Sequence, residues 1–184
     1  MKQLIRHTCT IAVVAAGLAL NAQAGSSPGE VDFGKFTPPG NGSEFVEVQI
    51  KSNLISIAAK LVEKEEPDVA KIIRSVELIR VNVIGLTDEN RDEMKTRVEK
   101  IRSELDSKGW ERNVNVQGKK NEDVGIFTKT RGEEALAGLV ITVMDPKNAV
   151  LVNIVGDINP SEVAALAETL DIKPLKDVAK EIKK

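Results

Sequence analysis

Five segments between Val76 and Val155 carry the residues of β-strands, and one strong helical pattern interrupts them. Val76 to Leu86 is β-branched at Val76, Ile79, Val81, Val83 and Ile84, and its Ile79, Val81 and Val83 share a face at period two. Trp110 to Gln117 puts Trp110, Val114 and Val116 on one face. Val124 to Thr130 follows after the turn Gly118-Lys119-Lys120-Asn121. Ala135 to Met144 and Ala149 to Val155 flank Asp145-Pro146-Lys147-Asn148, a hairpin turn by composition, and Leu139-Val140-Ile141 reads as buried on both faces. Between the first two segments, Met94, Val98, Ile101 and Leu105 form one stripe of a helix running from about Asp88 to Lys108, with Gly109 as its stop. This order predicts an α+β domain, built on a mostly antiparallel sheet of about five strands with helices packed on one face. The Asp88–Lys108 helix links two strands and so is expected to cross that face.

The flanks are less regular. Phe45-Val46-Glu47-Val48-Gln49-Ile50 partly alternates, which fits a short strand or the lead-in to a helix. Leu54, Ile57, Ala58 and Leu61 then recur at helical spacing, with Ser52 or Asn53 available as a cap. Pro67 suits the first turn of a short helix bearing Val69, Ile72 and Ile73. After the last strand, Asn159-Pro160-Ser161-Glu162 opens a helix with Val163, Leu166, Ala167 and Leu170. Pro174 divides it from another with Leu175, Val178, Ala179 and Ile182. Residues 44–184 therefore read as a single domain. In front of it, eleven of the 19 residues from Gly25 to Ser43 are Gly, Pro or Ser, the composition of a flexible arm that buries little. Phe33 and Phe36 interrupt this arm, and packing against the parent domain is the simplest use for them.

Residues 1–24 read as a signal peptide. Lys2, Arg6 and His7 form a basic start, Cys9 to Leu20 is uncharged and mostly apolar, and Ala22-Gln23-Ala24 offers the small-x-small cleavage pattern. The apolar run is shorter than the roughly 20 residues of a membrane span. Cys9 stands at the start of that run instead of following it, which excludes lipid attachment. The chain is expected to be exported, periplasmic or secreted, after cleavage following Ala24. That cut removes Cys9 and His7, the only cysteine and the only histidine, and the chain has no tyrosine. A mature chain of this kind has no thiol or imidazole for a nucleophilic dyad, a zinc site, haem or an iron–sulfur cluster. It also lacks disulfides, so its stability must come from an apolar core. With 28 acidic residues against 26 − 2 = 24 basic ones, its formal charge is −4, which provides no attraction to nucleic acid. No other apolar run reaches spanning length.

The remaining chemistry is carboxylate chemistry. Asp88, Glu89, Asp92 and Glu93 crowd the start of a helix, where two at i, i+4 would be placed to share a cation, but acids there are explained by the helix dipole. Glu122-Asp123 and Asp157-Ile158-Asn159 do not match a calcium loop. No glycine spacing makes a phosphate loop, and Gly125 inside a strand suggests a bulge or a close backbone approach. No catalytic, cofactor or metal residue is assigned. Two residues stand out. Asn153 interrupts the apolar run Val150 to Val155 and needs hydrogen-bond partners if buried, for which a sheet-edge or turn-supporting bond is the plain explanation. Trp110 opens a strand directly after a helix stop, where core packing is the plain explanation.

The stretch Gly138-Leu139-Val140-Ile141-Thr142-Val143, its turn, and Val150-Leu151-Val152-Asn153-Ile154-Val155-Gly156-Asp157-Ile158 resembles a bacterial family known as domain of unknown function 4252. Phe45-Val46-Glu47-Val48 and Asp123-Val124-Gly125-Ile126-Phe127 are similar to it too, so the resemblance spans roughly residues 44 to 180. It implies a small exported α+β protein and brings no reaction and no catalytic residue. The expectation is therefore a non-enzymatic module that binds a protein or a cell-envelope component, without cofactor, nucleic acid or membrane span. A carboxylate-dependent hydrolase is the first alternative, and a structural homo-oligomer the second. Clustered acids in a concave pocket would favour the hydrolase. An exposed apolar patch would favour the binding module. A patch matched to itself by a two-fold axis would favour the oligomer.

Overall fold

A computed structural model describes residues 27–40, 42–118, 122–133 and 135–159. Its elements run β1 (Phe45–Lys51), α1 (Ser52–Val62), α2 (Pro67–Arg74), β2 (Val76–Gly85), α3 (Arg91–Ser107), β3 (Glu111–Gln117), β4 (Asp123–Arg131), β5 (Ala135–Met144) and β6 (Asn148–Ile158). The signal peptide, the Lys119–Asn121 part of the turn after β3 and the helices expected beyond Pro160 lie outside the described residues.

The strands form one six-stranded sheet in the order β1-β2-β6-β5-β4-β3, every neighbouring pair antiparallel. The α+β class and the antiparallel sheet stand as expected. The additional strand is β1, whose Phe45–Ile50 alternation left strand and helix lead-in open. Pairing decides the matter, because all seven residues of β1 find partners along β2 without a register shift. Four antiparallel steps separate β2 from β3, so these two run parallel. Only a crossover can join them, and α3 is that crossover.

One expectation is corrected. The helices divide between the two faces of the sheet instead of sharing one. On one face, Met94, Val98, Ile101 and Leu105 of α3 pack with Ile84, Phe127, Val140, Met144 and Leu151. On the other, Ile55 of α1 and Ile72 and Ile73 of α2 pack with Ile79, Ile141, Val152 and Ile154. The physical reason is in the strands. β5 and β6 are apolar at consecutive positions, so both of their faces need covering. Leu139-Val140-Ile141 is buried throughout, as its composition indicates.

The turns follow their residues. Asp145 closes the β5–β6 hairpin, its Oδ1 accepting from the Lys147 and Asn148 amides at 2.6 and 2.7 Å. At the start of α3, the Thr87 amide donates to Asn90 Oδ1 at 2.7 Å and the Asn90 amide donates to Thr87 Oγ1 at 3.3 Å. Pro67 occupies the first turn of α2.

Candidate binding surface

The face of the sheet that carries α3 is completed by the N-terminal segment, and Asn153 holds it there. Asn153 lies in β6 between Arg80 of β2 and Val140 of β5, fully buried. Its Oδ1 accepts from the Val31 amide at 2.9 Å. Its Nδ2 donates to Gly29 O at 3.0 Å and Leu139 O at 3.2 Å. Arg80 adds a bond to Val31 O at 2.6 Å and an ion pair with Glu30 at 3.3 Å. Farther along, Arg97 of α3 donates to Phe33 O and Lys35 O at 2.9 and 2.7 Å, and its guanidinium lies 3.9 Å from the centre of the Phe36 ring. Phe33 is buried in the α3-side core.

This corrects the reading of Gly25–Ser43 as an arm that buries little. The glycines that suggested looseness are what permit contact. A Cβ on Gly138 would sit 2.6 Å from Gly29 O and 2.8 Å from the Trp110 ring, and one on Gly29 would sit 1.8 Å from Ala137 O. Backbone thus lies directly on backbone, and the indole of Trp110 closes the gap. Phe33 and Phe36 dock on the parent domain. Trp110 is a buried core residue, and Asn153 has a central-strand role in place of the edge or turn bond first expected.

A cleft of about 280 Å3 remains between this segment and α3, lined by Glu30, Asp32, Ile101, Glu104, Trp110 and Lys129 among others. Its carboxylates are already engaged. Glu30 pairs with Arg80, Glu104 with Lys108 at 3.6 Å, and Asp32 accepts from the Gly34 amide at 2.8 Å. The acids at the start of α3, Asp88, Glu89, Asp92 and Glu93, do not line this cleft and are all exposed. Among the described residues, no three Asp, Glu, His or Cys side chains gather as a metal site would require.

Sequence reasoning missed Arg102. Buried under α3, it donates from Nη1 to both Asp123 oxygens at 2.8 Å and from Nε to Thr142 Oγ1 at 2.8 Å. A signal existed, because Arg102 lies four residues after Val98 and so falls on the apolar stripe. Gly125 was legible as a close approach. A Cβ there would stand 2.8 Å from Thr142 Oγ1 and 3.0 Å from Arg102 Nε.

The opposite face carries the apolar surface left open. One valine per strand crosses the whole sheet in register, Val46-Val83-Val150-Val143-Val124-Val116, and its two end members are exposed. The helical stripe of α1 also points outward. Ile55 and Ala59 are buried, whereas Leu54, Ile57 and Leu61 are 52, 54 and 77% exposed. The Glu63–Arg74 ion pair, at 2.7 Å, ties the opposite flank of α1 to α2. At about 100° per residue, the Leu54-Ile57-Leu61 flank faces away from that contact. β1, the strand that leads into α1, forms one edge of the sheet.

A family model, Domain of unknown function (DUF4252), matches residues 40–166, which includes the whole sheet and leaves the docked segment before it. No curated protein and no solved structure matches the chain significantly. No helix among the described residues is long and apolar enough to cross a membrane.

Proposed function

Because the chain belongs to the family described as a domain of unknown function (DUF4252), a description that carries no reaction, we propose its function from its surface: an exported, non-enzymatic module that binds a protein or cell-envelope component. The observation that carries this reading is the exposed apolar flank of α1, the helix that directly follows the outer strand β1 with its exposed Val46. Three large apolar side chains aligned on one helix and more than half exposed are costly in water unless something covers them. Export is supported by the basic start, the Cys9–Leu20 run and Ala22-Gln23-Ala24.

Two measurements test the proposal. Mass spectrometry of the exported species is expected to find a chain starting at Gly25 without lipid. An uncleaved N-terminus or an acylated Cys9 sinks the export reading. Capture from envelope extract is expected to be lost with Leu61→Glu while the fold, read by circular dichroism, is retained. A hydrolytic rate abolished by Asp32→Asn or Glu104→Gln would overturn the non-enzymatic reading in favour of the carboxylate alternative.

A further inference from the structure

We propose that the partner of the β1–α1 surface is a second copy of this chain, joined about a two-fold axis so that the two sheets continue into one. The inference rests on the reading of this surface as a protein-binding one.

The two edges of the sheet differ. β3, at one edge, has a register shift between Arg112 and Val114, a feature that discourages strand addition. β1, at the other, has neither proline nor bulge, and it leads directly into α1 with its exposed Leu54, Ile57 and Leu61. Of the five exposed large apolar residues described, four (Val46, Leu54, Ile57 and Leu61) belong to β1 and α1.

The backbone selects which groups are offered. Gly85 donates to Glu44 O at 2.6 Å, so the even-numbered residues bond to β2 in the alternating antiparallel pattern. Phe45, Glu47, Gln49 and Lys51 then direct their N–H and C=O groups to the open edge. Pairing β1 with the same strand of a second copy requires these residues to meet one another. A register centred on Gln49 does so, and it sets Glu47 opposite the partner's Lys51 twice, once on each side of the axis. The same register sets Val48 opposite the partner's Ile50. Centring on Glu47 instead would bring two carboxylates face to face, which is disfavoured. Surface ion pairs contribute little affinity, so the charges choose the register and the apolar flanks of the two α1 helices supply the attraction.

Analytical ultracentrifugation of the purified protein is expected to show twice the mass of one chain, dissociating on dilution. Amide exchange should be slowed at Glu47, Gln49 and Lys51 in the dimer. Leu61→Glu should return the single-chain mass with an unchanged circular dichroism spectrum. Glu47→Lys and Lys51→Glu should each weaken association by about tenfold or more, equal to about 1.4 kcal/mol, and the double exchange should restore it. A single-chain mass at every concentration overturns the proposal, as does a double exchange no better than either single one. If the chain is monomeric yet Leu61→Glu still abolishes capture from envelope extract, the second copy falls and the binding reading stands. If Leu61→Glu changes neither mass nor capture, both fall.

Discussion

Asn153 shows how one polar residue in an apolar strand can organise a segment far away in sequence. Its amide uses one acceptor and two donor bonds, two of them to backbone more than 120 residues earlier. Replacing it with leucine keeps the number and branching of side-chain heavy atoms but leaves the Val31 amide and the Gly29 and Leu139 carbonyls without their partner. At about 1–3 kcal/mol for a buried unsatisfied group, Asn153→Leu is expected to lower stability by at least about 2 kcal/mol in urea denaturation. Asn153→Asp keeps the acceptor but sets a carboxylate against two carbonyl oxygens, and should be no better. A loss under about 0.5 kcal/mol for either, the scale of a surface change, would show that the clamp is unimportant. The need for partners was legible from Val152-Asn153-Ile154. Their identity was not, since strand periodicity contains no information about a glycine-rich segment at the other end of the chain.

Two helices of similar apolar spacing end in different surroundings. α3 buries the stripe its sequence predicts, and Ile101 is 7% exposed between Val98 and Leu105. Ile101→Ala is expected to cost about 2–5 kcal/mol, from lost burial and the cavity left behind, measured by the shift in the denaturation midpoint. α1 buries Ile55 and Ala59, one position on from Leu54 and Ala58 of its apparent stripe. Apolar spacing marks the preferred side of a helix only when one neighbour is available. α3 has its neighbours on one side, the sheet and the Phe33 segment docked along it. α1 meets both the sheet and α2, and the Glu63–Arg74 pair and the buried Ala59 and Ala70 mark a contact that turns the larger residues out. β1 was ambiguous for a related reason, because only its partner β2 distinguishes a strand from an extended lead-in.

At the scale of the molecule, the docked segment makes the matched family region and the residues before it one packed unit. Thr37, Pro38, Gly40 and Gly42 are exposed, whereas Phe33 is buried. Limited proteolysis is expected to cut between Thr37 and Ser43, and the freed N-terminal piece should co-elute with the remainder until denaturant is added. A chain starting at Glu44 should lose about 3–5 kcal/mol, the scale of an uncovered Phe33 site with the Asn153 bonds. Immediate loss of the piece after cleavage would show that the segment is not held. What the sequence determined by itself is what depends on near neighbours: the five strands from Val76 onward, the α3 stripe, the Asp145 turn, and the α+β class their order requires. The tertiary structure alone decided the sixth strand, the division of helices between two faces, the burial of Arg102, the seating of Val31 and Phe33, and the outward turn of α1. Each of these depends on which distant surface reaches a group first, and local spacing does not encode that competition.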